Sequence, residues 1–405
     1  VDDRDYMSVA LSHAKKGAGK VNPNPMVGAV IVRDGRIIAV GHHDHFGGWH
    51  AERAALEAAK RDGVDVRGAT IYVTLEPCCH QGKQPPCSQA LIDAGIARVV
   101  VGSADPNPLV AGKGIRQLRE AGIEVTEDVL RDECDALNEI FMHYIVSHKP
   151  FVLLKYAMTA DGKIATRTGA SRWITGEAAR HRVHEDRGRF AAIMVGVGTV
   201  IADDPQLTCR LGDGDAGDGR ETTGHNPLRI VCDSRLRTPL DSALVRTAHD
   251  VPTIIATCVP WNEPAAKPYA DAGCEVLTID ADAAGHVDVN ALATVLGSRG
   301  IDSVIVEGGA SLAWAALRAR IVTKIDAYVA PKIFGGASAP TPVGGDGVET
   351  PADCFRLTNT TVETLGDDLL IEGLVRYDND DNDGSEPSDA DDSAEEGEDH
   401  VHGNR

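Results

Sequence analysis

The strongest constraint on this chain is an alternation of short apolar strands and helical segments that runs to about residue 145, stops at Lys149-Pro150 and then begins again. Met7, Ala10, Leu11 and Ala14 share one helical face. Val27–Val32 and Ile37–Val40 read as strands joined by the hairpin signal Asp34-Gly35. His50–Arg61 reads as an Ala-rich helix, Ala69–Leu75 as a strand, Ser88–Ala94 as a helix and Ala97–Val101 as a strand. Ile115–Ala121 and Val129–Ser147 read as two further helices. This order predicts a helix-covered sheet. Pro150 biases Lys149 away from helix, so a second domain is expected to start there. In that half Phe151–Ala157, Ala191–Val197, Leu228–Cys232, Thr253–Thr257, Glu275–Ile279, Ser303–Val306, Asp326–Pro331 and Leu369–Val375 read as strands. Glu177–Arg187 and Val289–Leu296 read as helices, and Gly212–Asn226 as a surface loop.

The net charge of −21 is uneven: from Asp378 onward 12 acidic residues face Arg405 alone. That polar tail has too few apolar residues to offset its ordering entropy and is expected to be disordered. The acidity of the remainder argues against nucleic acid and anionic membranes as partners. No apolar run reaches the ~18–20 residues of a membrane span. The acidic start Val1-Asp2-Asp3-Arg4-Asp5 lacks the apolar region of a secretory signal, so a cytoplasmic protein is expected. Nine unevenly spaced cysteines do not read as a disulfide framework.

The sharpest chemical signal is His50-Ala51-Glu52 followed by Glu76-Pro77-Cys78-Cys79 and Cys87. Three ligands with one open position suit a zinc ion that activates water, and a carboxylate beside the metal suits the proton shuttle. His-x-Glu supplies both if it opens a helix, and two thiolates complete the zinc-deaminase pattern. Here the second Cys follows after nine residues rather than three. Cys78 with Cys87 is the preferred pair; Cys79 competes by proximity. A structural zinc site would instead need a fourth ligand, with Cys79 and His80 as candidates. His42, His43 and His45 read as a loop at the mouth of the site. Asn22-Pro23-Asn24-Pro25 is either an ordinary turn or a stiff loop whose amides read a pyrimidine edge. Asp105-Pro106-Asn107-Pro108 before Gly112-Lys113-Gly114 is a weak candidate for a phosphate at a helix start. In the second half, Gly196-Val197-Gly198-Thr199 and Glu307-Gly308-Gly309 are glycine turns suited to a pyrophosphate or simply to tight packing. Arg187 and Arg210 are suitable bidentate donors for a phosphate. Lys155 is a candidate to stabilise or protonate near an opening sugar, or else covers apolar surface.

Asn22–Gly28, His50–Glu52, Tyr72–Cys87, Asp105–Gly114, Asp161–Thr166, Ser171–Thr175, Gly196–Pro205 and Val306–Gly309 together resemble a bacterial bifunctional riboflavin-biosynthesis family. In that family a diaminohydroxyphosphoribosylaminopyrimidine deaminase is fused to a 5-amino-6-(5-phosphoribosylamino)uracil reductase. The resemblance spans roughly residues 5–376, and the long Cys78–Cys87 spacing is that family's own. It implies an α/β chain with a cytidine-deaminase-like α/β/α domain (1–148), a dihydrofolate-reductase-like α/β domain (149–377) and the acidic tail (378–405). It implies one zinc per chain on His50, Cys78 and Cys87, with Glu52 as shuttle, and NADPH in the second domain. Asn24, His42, His80 and Lys83 match the pyrimidine pocket. Ala157, Trp173, Thr199, Asp203, Ser234 and the run Gly309, Ala310, Ser311, Leu312, Ala313, Trp314 match the NADPH site. Ser171, Arg187, Leu207, Arg210 and Glu307 match substrate contacts, and Asp203 joins Glu52 and Lys155 as a catalytic candidate. The family usually has Ser where this chain has Cys79. The implied partner is a small phosphoribosylaminopyrimidine, with a homo-oligomer built through the reductase domain. The rivals are a nucleoside or tRNA deaminase with an unrelated second domain, and a non-catalytic zinc scaffold.

Overall fold

The computed structural model describes residues 1–79, 85–211 and 225–377. The expectations placed on His80, Lys83, the tail from Asp378 and most of the loop Gly212–Asn226 lie outside those residues. Two α/β units follow one another along the chain.

The first unit is a five-stranded sheet in the order β2-β1-β3-β4-β5. Its strands are β1 (Gly28–Arg33), β2 (Arg36–His42), β3 (Thr70–Leu75), β4 (Arg98–Ser103) and β5 (Glu124–Thr126). β1 runs antiparallel to β2 and β3, whereas β3, β4 and β5 are parallel. Parallel neighbours need crossovers, supplied by α3 (Cys87–Asp93) and α4 (Lys113–Glu120). The hairpin turn has positive φ at both Asp34 and Gly35, the reason an Asp-Gly pair sits there. Helix α1 (Asp3–Ala14) opens with a reciprocal cap between Asp2 and Asp5 and buries Tyr6, Met7, Ala10, Leu11 and Ala14. Helix α2 (Ala51–Arg61) lies so close to β2 that a Cβ on Gly41 would meet Ala55 N at 2.3 Å and Ala51 O at 2.4 Å. The Ala-rich face of α2 and Gly41 together fix how His50 and Glu52 are presented.

The helix expected over Val129–Ser147 is two helices, α5 (Arg131–Leu137) and α6 (Glu139–Ser147). They break at Asn138, whose side-chain amide accepts from Met26 N (2.8 Å) and donates to Met26 O (3.0 Å). This distant pairing overrides helical periodicity, which a local pattern cannot reveal.

The second unit is a nine-stranded sheet, β10-β9-β8-β7-β11-β6-β12-β14-β13. Its strands are β6 (Phe151–Thr159), β7 (Ala192–Gly196), β8 (Leu228–Cys232), β9 (Thr253–Thr257), β10 (Glu275–Thr278), β11 (Ser303–Glu307), β12 (Lys324–Ala330), β13 (Arg356–Leu365) and β14 (Asp368–Arg376). All pairings are parallel up to β12, and β14 and β13 close the sheet antiparallel. The helices are α7 (Glu177–Arg189), α8 (Val197–Asp203), α9 (Ala243–Arg246), α10 (Lys267–Asp271), α11 (Val289–Ser298) and α12 (Ala310–Arg318). Central strands such as β7 and β11 are almost wholly buried, as expected when helices cover both faces. The sequence reading misses β5, β13 and the short helices α8, α9 and α10, which carry too little periodicity to stand out. The two units meet through Asn22 and Asp302 (2.7 Å), Tyr144 and Gly297 O (3.0 Å), and Arg189 and Glu139 (2.9 Å). All nine cysteines are free.

Between α7 and strands β12 and β14 the core is polar. Lys324 pairs with Glu372 at 3.0 Å, and Arg182 lies 3.6 Å from Asp186 and 3.8 Å from Glu372. Asp326 is 2% exposed, and its Oδ1 has no hydrogen-bond partner. Burial, then the neighbouring Asp186, push its carboxyl up to about 7. An unfolded Asp ionises near ~3.9, so the charged carboxylate destabilises the fold progressively between about pH 4 and about pH 7, and fully above that. Asp326→Asn is therefore expected to stabilise the fold at pH 8, by at most roughly 4 kcal/mol and so with a higher melting temperature, and to change little at pH 4. Thermal unfolding at the two pH values checks this, and a lower melting temperature at pH 8 would show that the charge is needed.

Candidate active sites

Three donor atoms converge at one end of the first sheet. His50 is the N-cap of α2 and Cys87 the first residue of α3, while Cys78 follows β3 by three residues. His50 Nδ1 lies 3.5 Å from Cys78 Sγ and 3.4 Å from Cys87 Sγ, and the three donors lie within 4.8 Å of one another. Zinc bonds of about 2.3 Å to sulfur and 2.1 Å to nitrogen in a tetrahedron set S···N separations of about 3.6 Å. The donor set therefore fits that ion in spacing as well as in chemistry. Hydrogen bonds from Cys87 and His50 hold the Cys78 thiol well below its ordinary value, which favours the thiolate ligand. Cys79 Sγ turns away to Leu109 O at 3.8 Å and is not part of the cluster.

Glu52, two residues after His50, is 3% exposed, and burial pushes its carboxyl up to about 7. A carboxyl poised there both accepts and returns a proton near neutrality. Asn24 Nδ2 meets His43 Nε2 at 3.1 Å, His43 Nδ1 meets Trp49 O at 2.9 Å, and the His43 ring stands edge-on to His50 at 5.7 Å. His43, rather than His42, touches the metal-binding histidine. His42 lies 3.5 Å from Asp44.

Sequence reasoning missed Glu76. Its buried carboxylate accepts from the backbone N–H groups of Gly112 (2.9 Å), Gly114 (3.0 Å), Ile115 (3.2 Å) and Asp105 (3.4 Å). The anion at the start of α4 is thus the protein's own, which overturns the reading of that turn as a phosphate site. The signal was present as Glu76-Pro77-Cys78 and Gly112-Lys113-Gly114, but pairing two such stretches needs the fold. Ser88 adds a second tie, donating N and Oγ to Cys78 O at 3.1 Å each.

The second site lies along the carboxyl ends of β6, β7 and β11. Gly308 and Gly309 have φ of +83° and +92°, and a Cβ on Gly308 would meet Thr199 Oγ1 at 3.2 Å. A Cβ on Gly198 would meet nothing within 4 Å, leaving an open ledge. Helix α12 begins at Gly309 without a side-chain cap, so its first-turn N–H groups suit a pyrophosphate. These features fit a dinucleotide cofactor. Ser171 Oγ donates to Asp203 Oδ1 at 3.3 Å, and the Ser234 hydroxyl accepts from Val287 N at 3.0 Å. Trp173 is exposed, with the Arg180 guanidinium 4.8 Å over its ring. Ala157 packs beside Ala179 and Tyr328.

Several sequence assignments are corrected. Of the run from Gly309 to Trp314, Leu312 and Ala313 enter the core, and Trp314 packs on Phe355 at 6.0 Å, because the helical period turns them inward. Leu207 is 3% exposed, so it offers its backbone, at φ +53°, rather than its side chain. Arg187 is already engaged within the protein. Its Nε and Nη2 fork onto Glu307 at 2.9 and 2.7 Å, and its Nη1 donates to Thr208 O. Burial alone would raise the Glu307 carboxyl, but Arg187 and Lys155, the latter 3.7 Å away, hold it down to about 2. Arg210 Nη1 donates to Thr208 Oγ1, and its backbone N donates to His184 Nδ1 at 3.1 Å. Burial, then Arg187 and Arg210, push the His184 ring down to about 4, so it is the neutral acceptor this bond needs.

Comparison with known proteins finds a family-model match in each half of the chain. Residues 1–103 match the cytidine and deoxycytidylate deaminase zinc-binding region, and residues 150–371 match the RibD C-terminal domain. The chain is 50% identical over 373 residues to riboflavin biosynthesis protein RibD of Actinobacillus pleuropneumoniae, covering 92% of this chain and 95% of the relative. It is 41% identical to the RibD of Aquifex aeolicus, covering 91% and 97%. A crystal structure of a diaminohydroxyphosphoribosylaminopyrimidine deaminase/5-amino-6-(5-phosphoribosylamino)uracil reductase from Thermotoga maritima superposes with TM-score 0.78. It is 40% identical and covers 92% of this chain and 99% of that one. An Acinetobacter baumannii RibD structure gives TM-score 0.78 at 35% identity, covering 93% and 99%.

The ligand geometry sets a direct expectation. Cys79→Ser should keep one zinc per chain by elemental analysis, whereas Cys78→Ser and Cys87→Ser should each lose it on mild chelation. Zinc loss in Cys79→Ser would place that thiol on the metal.

Proposed function

The chain belongs to the RibD family, and from that premise we propose which of its residues carry the two reactions. It is a bifunctional enzyme of riboflavin biosynthesis, a zinc-dependent deaminase and an NADPH-dependent reductase. The division we infer places deamination in residues 1–148 and reduction in 149–377.

For the first reaction His50, Cys78 and Cys87 hold the zinc ion. When bound, zinc supplies a Lewis acid that makes water nucleophilic at neutral pH. The substrate carbon is C2 of a 2,5-diamino-6-(5-phosphoribosylamino)pyrimidin-4(3H)-one. Glu52 takes a proton from the attacking water and delivers it to the C2 amine, which leaves as ammonia. The product is 5-amino-6-(5-phosphoribosylamino)uracil. Asn24, oriented by His43, reads the pyrimidine edge together with His42, His80 and Lys83. The single observation that carries this reading is the buried Glu52 carboxyl beside a three-donor cluster.

For the second reaction Gly309–Ser311, Thr199, Asp203, Ser234, Trp173 and Ala157 hold NADPH. The cofactor supplies hydride to C1′ of the ring-opened ribosylamino group, which becomes ribitylamino. Lys155, paired with Glu307 at 3.7 Å, gives a proton to the opening sugar. Ser171 and Arg210 contact substrate, and Arg210 takes the phosphate because Arg187 is committed to Glu307. We further place the protein in the cytoplasm, as a homo-oligomer built through the reductase half. The ten-residue outer strand β13 supports that assembly, since an unpaired edge invites a partner.

Two measurements check these roles. Glu52→Gln should cut ammonia release by about 10²–10⁴-fold while sparing zinc content and reduction of the deaminated substrate. Undiminished release contradicts the shuttle. Arg210→Ala should raise KM in the reductase step for the phosphorylated substrate and leave the dephosphorylated one unchanged. Equal effects on both would remove Arg210 from the phosphate.

A further inference from the structure

The loop Asn22-Pro23-Asn24-Pro25-Met26 leads into β1 and is held at three points by three parts of the molecule. Met26 is fixed by Asn138 at the break between α5 and α6. Asn24 is fixed by His43, which packs on the metal-binding His50. Asn22 Nδ2 donates to Asp302 Oδ2 at 2.7 Å, across 280 positions of chain and from one α/β unit to the other.

Asp302 is itself tightly held. It is 2% exposed, its Oδ1 accepts from Ser303 Oγ at 2.7 Å, and its carbonyl accepts from Phe151 N at 2.7 Å. It directly precedes β11, and Phe151 opens β6. Glu307 ends β11, and Lys155 lies opposite it in register on β6. A cavity of about 20 Å³, room for about one water, lies beside this bond, bordered by Asn22, Asn24, Asn138, Arg189 and Asp302 and by the apolar Leu137, Ile140 and Phe141. Apolar side chains thus line part of the gap, and the directed tie from the loop to the reductase half is the Asn22–Asp302 bond. Pro23, the one residue between Asn22 and Asn24, has its φ fixed by its ring, which stiffens the link between the two amides.

We propose that Asn22 and Asp302 are positioning residues for deamination: the reductase half, through Asp302, sets the loop that holds Asn24 in the pyrimidine pocket. This rests on the assignment of Asn24 to that pocket. The two active sites are thereby linked mechanically as well as by sharing a chain. The bond is charge-assisted, the stronger class of hydrogen bond, and half-buried. Its loss leaves the loop with two of its three ties, so the pocket loses precision while the ligands and Glu52 keep theirs.

The test uses full-length, zinc-loaded protein and both activities as mutual controls. Asn22→Ala and Asp302→Ala, singly and together, are compared with Asn24→Ala and with Asp302→Asn, which keeps an oxygen facing Asn22. Expected is a rise of about tenfold in KM for the diaminopyrimidine in each single variant, with kcat within about threefold. The double variant should be no worse than the worse single, since both remove one bond. Asp302→Asn should restore KM. Zinc content, and KM and kcat for reduction of the deaminated substrate, should stay at wild-type values. If Asn24→Ala raises KM but Asn22→Ala and Asp302→Ala do not, the positioning bond is refuted and the Asn24 assignment stands. If Asn24→Ala leaves KM unchanged, the pocket assignment fails and the proposal fails with it. An equal loss of both activities, or additive effects in the double variant, reduces the bond to general stability and overturns the proposal.

Discussion

Three donor atoms from three places in the chain must come within 4.8 Å of one another, and much of the first unit is arranged to make that happen. His50 and Cys87 stand at helix starts, so backbone geometry aims both side chains before packing adjusts them. Cys78 has no helix to aim it. It sits on a turn that Glu76 anchors through four backbone amides and that Ser88 grips by its carbonyl. The absence of side chains follows from the same need. A Cβ on Gly114 would come within 2.0 Å of Pro77 O, and one on Gly41 would push α2 away from β2. Such glycines keep the Cys78 turn, helix α2 and the sheet close enough for the three donors to converge.

The second site repeats the logic with different chemistry. Parallel strands align their carboxyl ends, and in open α/β sheets that edge is where ligands bind. Lys155, Gly196–Thr199 and Glu307–Gly309 reach it from the adjacent strands β6, β7 and β11. Glu307 is the organising charge. It is buried, and Arg187 and Lys155 keep it ionised, so it holds both cations in place. In the first site, by contrast, burial is the dominant influence and pushes the Glu52 carboxyl up to about 7. Two buried glutamates thus sit in opposite environments, one raised by burial and one held low by two cations.

Much of the first site was legible because its chemistry is written in short spacings. His50-x-Glu52 and the two thiols are recognisable before any fold is known, and the Asp34-Gly35 hairpin and Ala-rich α2 follow from local rules. The second half was less legible. Its glycine turns are common to tight packing and to phosphate binding, and only the resemblance separated the two. What escaped altogether depends on contacts between distant segments. Asn138 breaks a helix by pairing with Met26. Glu76 occupies a helix start that looked open. Arg187 is held by Glu307, 120 residues away, a partner the sequence does not show. In each case a polar side chain chose a partner that no window of sequence contains.

The measurement that bears most directly on this account is product mass after mixing the protein with the diaminopyrimidinone ribosyl phosphate, with and without NADPH. The account expects amino-to-oxo exchange without the cofactor, and a further gain of two hydrogens only with it. Reduction preceding deamination would contradict the assigned order. An unchanged substrate mass with zinc bound would contradict the assignment of this substrate to the His50–Cys78–Cys87 site.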